Sequence, residues 1–90
     1  MTKHPKTPEA RRLEARNLEA SLNVAGLPPE VVDKIARALR TFADEGLGFS
    51  EAIRHPDMPC VVACTFSTQA HVMSSIHIRH PPPVRPSGRR

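Results

Sequence analysis

Cys60, Cys64, His71, His77 and His80 fall within about twenty residues, and thiolates and imidazoles are the ligands from which a structural zinc site is made. Their spacing does not follow the usual pattern of a close cysteine pair and a distant histidine pair. Read as strands, the segment also scatters them. Cys60, Val62, Cys64 and Phe66 share one face beside Val72, Ile76 and Ile78, whereas His71 and His77 point the opposite way with Met73 and Arg79. Ligands on opposite faces cannot converge on one ion, so small buried thiols and exposed histidines are expected. No metal and no cofactor is assigned.

A cysteine nucleophile would need a base and an orienting group. His55 and His71 could approach Cys60, but no motif places an Asp or Asn behind either, and no oxyanion hole is signalled. Gly46-Leu47-Gly48 resembles part of a phosphate-binding loop. It follows a helix where the dinucleotide fingerprint needs a strand, and it lacks the third glycine. An enzyme is therefore not expected.

Two further patterns concern nucleic acid. Around Gly26, the residues Ala25, Leu27, Val32 and Ile35 fit apolar positions of a helix–turn–helix, but Ser21 and Leu22 do not fit theirs. The second helix would present Glu30 and Asp33 to phosphates and base edges, where basic or amide side chains are required. The net charge of +4 lies elsewhere. Residues 1–57 hold nine Lys or Arg against nine Asp or Glu, and residues 58–90 hold Arg79, Arg85, Arg89 and Arg90 with no acid. Arg85, Arg89 and Arg90 form a candidate polyanion contact on a proline-rich tail.

The elements that must carry these residues belong to one small domain. Ninety residues, with three Phe, no Trp and no Tyr, leave a thin core of Ala, Val, Leu and Ile. Thin cores gain stability by association. The first eight residues have no apolar signal region and no apolar run is long enough to span a bilayer, so a cytoplasmic protein with free thiols and no membrane partner is expected. Arg outnumbers Lys ten to three and Ala is frequent, which suggests a GC-rich bacterial coding sequence.

The fold class expected is mainly α. Residues 1–6 read as disordered, followed by a helix over 8–23 with Thr7 as N-cap and Pro8 at its first position. Ala15, Leu18, Leu22 and Ala25 form its stripe. Leu13 and Val24 lie well off it, so this helix is either buried on two sides or less regular. A second helix over 29–45 divides cleanly into an apolar half-cylinder (Val31, Val32, Ile35, Ala36, Ala38, Leu39, Phe42, Ala43) and a charged half, and ends at Gly46. Ser50 predicts a short third helix over 50–55. The alternation in 60–66 and 71–79 reads as a C-terminal β-hairpin, although its link lacks Asn-Gly or Gly-Gly; otherwise the last third is an extension without a fold. Residues 81–90 read as a disordered basic tail.

The apolar half of the second helix exceeds what one short, Ala-rich helix can cover. Val32, Ile35, Leu39 and Phe42 are thus the candidate interaction face or core. The function expected is a non-catalytic bacterial protein–protein interaction module, associating with itself as a homodimer or with another protein. The alternative is a nucleic-acid-binding accessory protein or regulator using a degenerate helix–turn–helix, the basic tail, or both.

Overall fold

A computed structural model of the chain describes residues 4–80. Two helices, α1 (Pro8–Asn23) and α2 (Pro29–Glu45), precede three strands, β1 (Phe49–Ile53), β2 (Val61–Phe66) and β3 (Ser75–Arg79). The strands form one antiparallel sheet in the order β1-β2-β3. The protein is an α+β fold in which the sheet is half of the core, and the mainly α expectation is overturned.

The helices end where local chemistry ends them. Thr7 Oγ1 accepts a hydrogen bond from Ala10 N at 3.1 Å, satisfying one of the donors that α1 leaves open. At the end of α2, Gly46 takes φ 69° and donates its N–H to the Phe42 carbonyl at 3.1 Å. That conformation is strained for any residue with a Cβ.

The third helix expected over 50–55 is absent: residues 50–53 belong to strand β1, and 54 and 55 follow it outside any helix or strand. Six residues cannot offset the cost of nucleating a helix without a packed apolar face, and 50–55 offers only Ala52 and Ile53. As a strand, the segment pairs Phe49, Glu51 and Ile53 with Phe66, Cys64 and Val62. This turns Phe49 onto Phe66, with ring centroids 5.5 Å apart, and buries Ile53. Tertiary pairing outweighs the Ser50 capping signal.

The hairpin exists only as the β2–β3 half of the sheet, and its second strand starts at Ser75 rather than His71. Residues 67–74 form a loop held by the chain's beginning. Pro5 bridges Gln69, Lys6 N donates to the Thr68 carbonyl at 2.7 Å, and Ala70 N donates to the His4 carbonyl at 2.9 Å. The expected disorder of residues 1–6 therefore fails for 4–6. For residues 1–3 and 81–90 the expectation lies outside the described residues.

Both helices lie on one face of the sheet, α1 over β3 and α2 over β1 and β2. Period-two alternation sends Val62, Cys64 and Phe66 toward them, and all three are buried with Leu22, Ile35, Leu39 and Phe42. Phe42 and Phe66 meet at a centroid distance of 5.9 Å, joining helix layer to sheet.

Candidate interaction surface

Of the two places expected for Val32, Ile35, Leu39 and Phe42, an interaction face or the core, the structure puts them in the core cluster. Ile35, Leu39 and Phe42 are 0%, 2% and 0% exposed, and Val32 is half-buried against the same cluster. The sheet is the cover that α1 alone could not supply. Their apolar side is enclosed between the helices and the sheet. Arg85, Arg89 and Arg90 lie outside the described residues.

The helix pair turns its apolar faces to the sheet, and the exposed side of α2 carries Glu30, Asp33, Lys34, Arg37, Arg40 and Asp44. Lys34 is engaged by Glu51 of β1. This mixed-sign wall does not suit a recognition helix.

Cys60 and Cys64 are free and buried. Burial, reinforced by the nearby negative charge of Glu51, pushes the Cys64 thiol up to about 11, so it is not an activated nucleophile. His71, His77 and His80 are exposed, and among the described residues no three metal-ligating side chains gather.

A buried polar cluster went unread in the sequence. Lys6 is 8% exposed, and its Nζ donates to Glu14 Oε1 and the Ser67 carbonyl, each at 2.7 Å. Ser74 Oγ accepts from Ser67 N at 2.9 Å, while Ser74 N donates to Glu14 Oε2 at 3.4 Å. Burial alone would raise the Glu14 carboxyl. The hydrogen bonds from Lys6 and Ser74, with the charge of Lys6, outweigh it and hold the group below its ordinary value. The cluster ties the chain's beginning, α1 and the 67–74 loop together. Its only sequence signal is a lysine next to a helix-start Thr-Pro, which does not reveal burial.

The surface then divides into regions of different character. An open groove of about 600 Å³ runs between α2 and the free side of β1, with Ala38, Thr41, Leu47 and Phe49 at one end and Asp33 and Arg37 on its rim. The opposite edge of the sheet is β3, which among the described residues has no backbone partner beyond β2. On its helix-facing side β3 carries Ile76, half-buried, and Ile78, 41% exposed.

Beside that edge, α1 shows a flank without charge. At 100° per residue, Leu13, Asn17, Ala20, Ser21 and the following Val24 fall within an arc of about 100°, all exposed. Arg12, Arg16 and Glu19 lie on the other side, bordering α2. Glu14 and Leu18 mark the β3 side of the helix, Glu14 through its bond with Ser74. Leu13 is 56% and Val24 85% exposed, which makes them two of the five large apolar residues left in solvent. Their place off the α1 stripe is thereby explained: they belong to a second, uncovered side of the helix.

No helix among the described residues is long and apolar enough to cross a membrane. The chain matches no protein family, no curated protein and no solved structure.

Proposed function

We propose that the chain is a non-catalytic self-associating module whose copies join through the β3 edge and the uncharged flank of α1. The observation that carries this reading is the adjacency of an open strand edge and a charge-free helix side. Open edges recruit further strands unless charge, proline or a bulge blocks them. β3 (Ser-Ile-His-Ile-Arg) has no proline and no acid, and its only fixed charge is at its last residue.

The strand is also compatible with its own copy. Antiparallel pairing about a two-fold axis at His77 sets Ile76 opposite Ile78 of the second copy, and Ser75 opposite its Arg79. Both isoleucine pairs then lie on the helix-covered side, where they continue the core, and no arginine faces another arginine. The product is a six-stranded sheet with four helices on one face. The α1 flanks approach across the axis, where Ala20 and Ser21 allow close contact and Leu13 and Val24 supply apolar area. This assigns self-association to a face of the molecule different from Val32, Ile35, Leu39 and Phe42.

Sedimentation velocity over a hundredfold concentration range tests the proposal. The wild-type chain sediments as a dimer, or passes to one as concentration rises. Ile78→Lys and Leu13→Glu sediment as monomers with unchanged far-UV circular dichroism, because both sites are exposed. A wild-type chain that stays monomeric throughout, or an I78K chain that dimerises as well as wild type, overturns it.

A further inference from the structure

We infer that the uncovered face of the sheet is a binding surface for the phosphate backbone of a nucleic-acid duplex. The helices cover one side of the sheet only. By strand alternation and register, the other side carries three rows: Ser50–Thr65–Ser75, then Ala52–Ala63–His77, then Arg54–Val61–Arg79. Arg54 is one residue beyond β1 and continues its alternation after the buried Ile53.

Charge is the first argument. None of these nine residues is acidic, although residues 1–57 are balanced between acids and bases. Glu51, the one acid within a strand, points to the helix side, where it meets Lys34. Neither Arg54 nor Arg79 forms an ion pair among the described residues, and both are exposed, with His77 next to Arg79 on the same face of β3. In sequence, Glu51 and Asp57 stand equally near Arg54; Glu51 is engaged by Lys34, and Asp57, in the β1–β2 loop, has its Oδ2 4.0 Å from His55 Nδ1. Arg54 and Arg79 are 25 positions apart in the chain, and only the sheet places them on one row. Val61 alone separates them, at two strand spacings or about 10 Å.

Shape and chemistry select the partner. Ala52, Ala63, Val61, Thr65 and Ser75 leave the face flat, so a broad polyanion can approach closely. All three phenylalanines lie on the helix side, and the chain has no Trp or Tyr, so no platform exists for stacking unpaired bases. None of the nine residues of the face is an Asn or Gln, the side chains that read adenine edges. A duplex bound through its phosphates, without regard to sequence, meets these conditions. An anionic membrane fits less well, because the face has no large apolar side chain to insert. The surface does not depend on self-association. Pairing of β3 strands would place two such faces side by side, with four arginines and two histidines on one side of the sheet.

The test is fluorescence anisotropy of the full chain with a labelled DNA duplex, titrated with salt. Arg54→Glu/Arg79→Glu lowers affinity about tenfold or more and reduces the slope of log K against log salt by about 2 per protomer. Arg12→Glu/Arg16→Glu, on the helix layer, stays within about twofold of wild type. The monomeric Ile78→Lys variant still binds and still responds to R54E/R79E, so failure of the dimer and failure of this site are told apart. Wild-type affinity in R54E/R79E overturns the inference. So does an equal loss in R12E/R16E, or complete loss on replacing Arg85, Arg89 and Arg90 with Ala alone. Binding to phosphatidylserine vesicles without binding to the duplex also overturns it.

Discussion

Lys6 Nζ and Glu14 Oε1 lie 2.7 Å apart, with side chains only 7% and 22% exposed, and this pair closes the fold onto its own first residues. A lysine so far from water is retained because every direction of its ammonium is used: the carboxylate, the Ser67 carbonyl, Ser74 Oγ at 3.4 Å, and the Phe42 ring face at 5.6 Å.

Removing one partner leaves the other buried without compensation. Lys6→Met is expected to cost about 2–4 kcal/mol in urea denaturation, and Glu14→Gln less, because Gln can still accept from Lys6. The double variant K6M/E14L recovers part of the K6M loss, since it leaves no orphaned charge. Additive single losses would show that the two residues do not act as a pair.

The same pair gives the protein an acid-sensitive limb. The Glu14 carboxyl is held below its ordinary value when folded, so the unfolded chain takes up its proton first as pH falls. Its contribution is complete above the ordinary glutamate range and drains as pH drops through that range toward the folded value. Stability measured between about pH 3 and 6 therefore falls less steeply in E14Q than in wild type. Parallel curves would remove Glu14 from the explanation.

Arg11 caps α2 from a different helix. Its Nε donates to two carbonyls of the last turn, Phe42 at 3.0 Å and Ala43 at 3.3 Å, the first of which also accepts from the Gly46 N–H. Arg11→Ala is expected to cost about 1–2 kcal/mol. Gly46→Ala costs about 1 kcal/mol through its positive φ, and its Cβ would lie 3.3 Å from the Arg11 guanidinium carbon. The two changes are therefore coupled, and a double-mutant cycle departs from additivity.

Core and seam residues are separable by experiment. Phe42→Ala is expected to cost about 3–5 kcal/mol of folding stability. Leu13→Ser and Val24→Ser change the stability of the folded monomer by no more than about 0.5 kcal/mol while weakening association. Thermal melts at low and high protein concentration distinguish the two classes.

Cys64 should be inert in the folded chain. With its thiol pushed up to about 11, iodoacetamide at pH 8 modifies it slowly until denaturant is added. Because the folded value exceeds the unfolded one, stability falls as pH rises from about 9 toward 11, and Cys64→Ala lacks that fall. Rapid labelling of native protein at Cys64 would contradict its burial.

What the sequence by itself determined is local. Both long helices follow from signals within one or two turns: Thr7-Pro8 at the start of α1, the divided wheel of α2, and Gly46 at its end. Observed and expected spans, 8–23 and 29–45, agree. The inward alternation of Val62, Cys64 and Phe66 was legible for the same reason, as it depends only on period two. The tertiary structure decided everything that depends on partners distant in the chain. Residues 50–53 carry a helix-cap signal yet belong to an edge strand, because β2 offers hydrogen bonds and Phe66 offers an aromatic surface that no neighbouring residue could announce. Lys6 has the composition of a solvated terminus, and only the return of the 67–74 loop encloses it. The apolar side of α2 asked for more cover than α1 has, and the sequence could express that demand without naming the sheet that meets it. The surfaces now proposed for function have the same origin. The flank of Leu13 and Val24 comes beside β3, and Arg54 joins the row of Val61 and Arg79, only after the strands have paired.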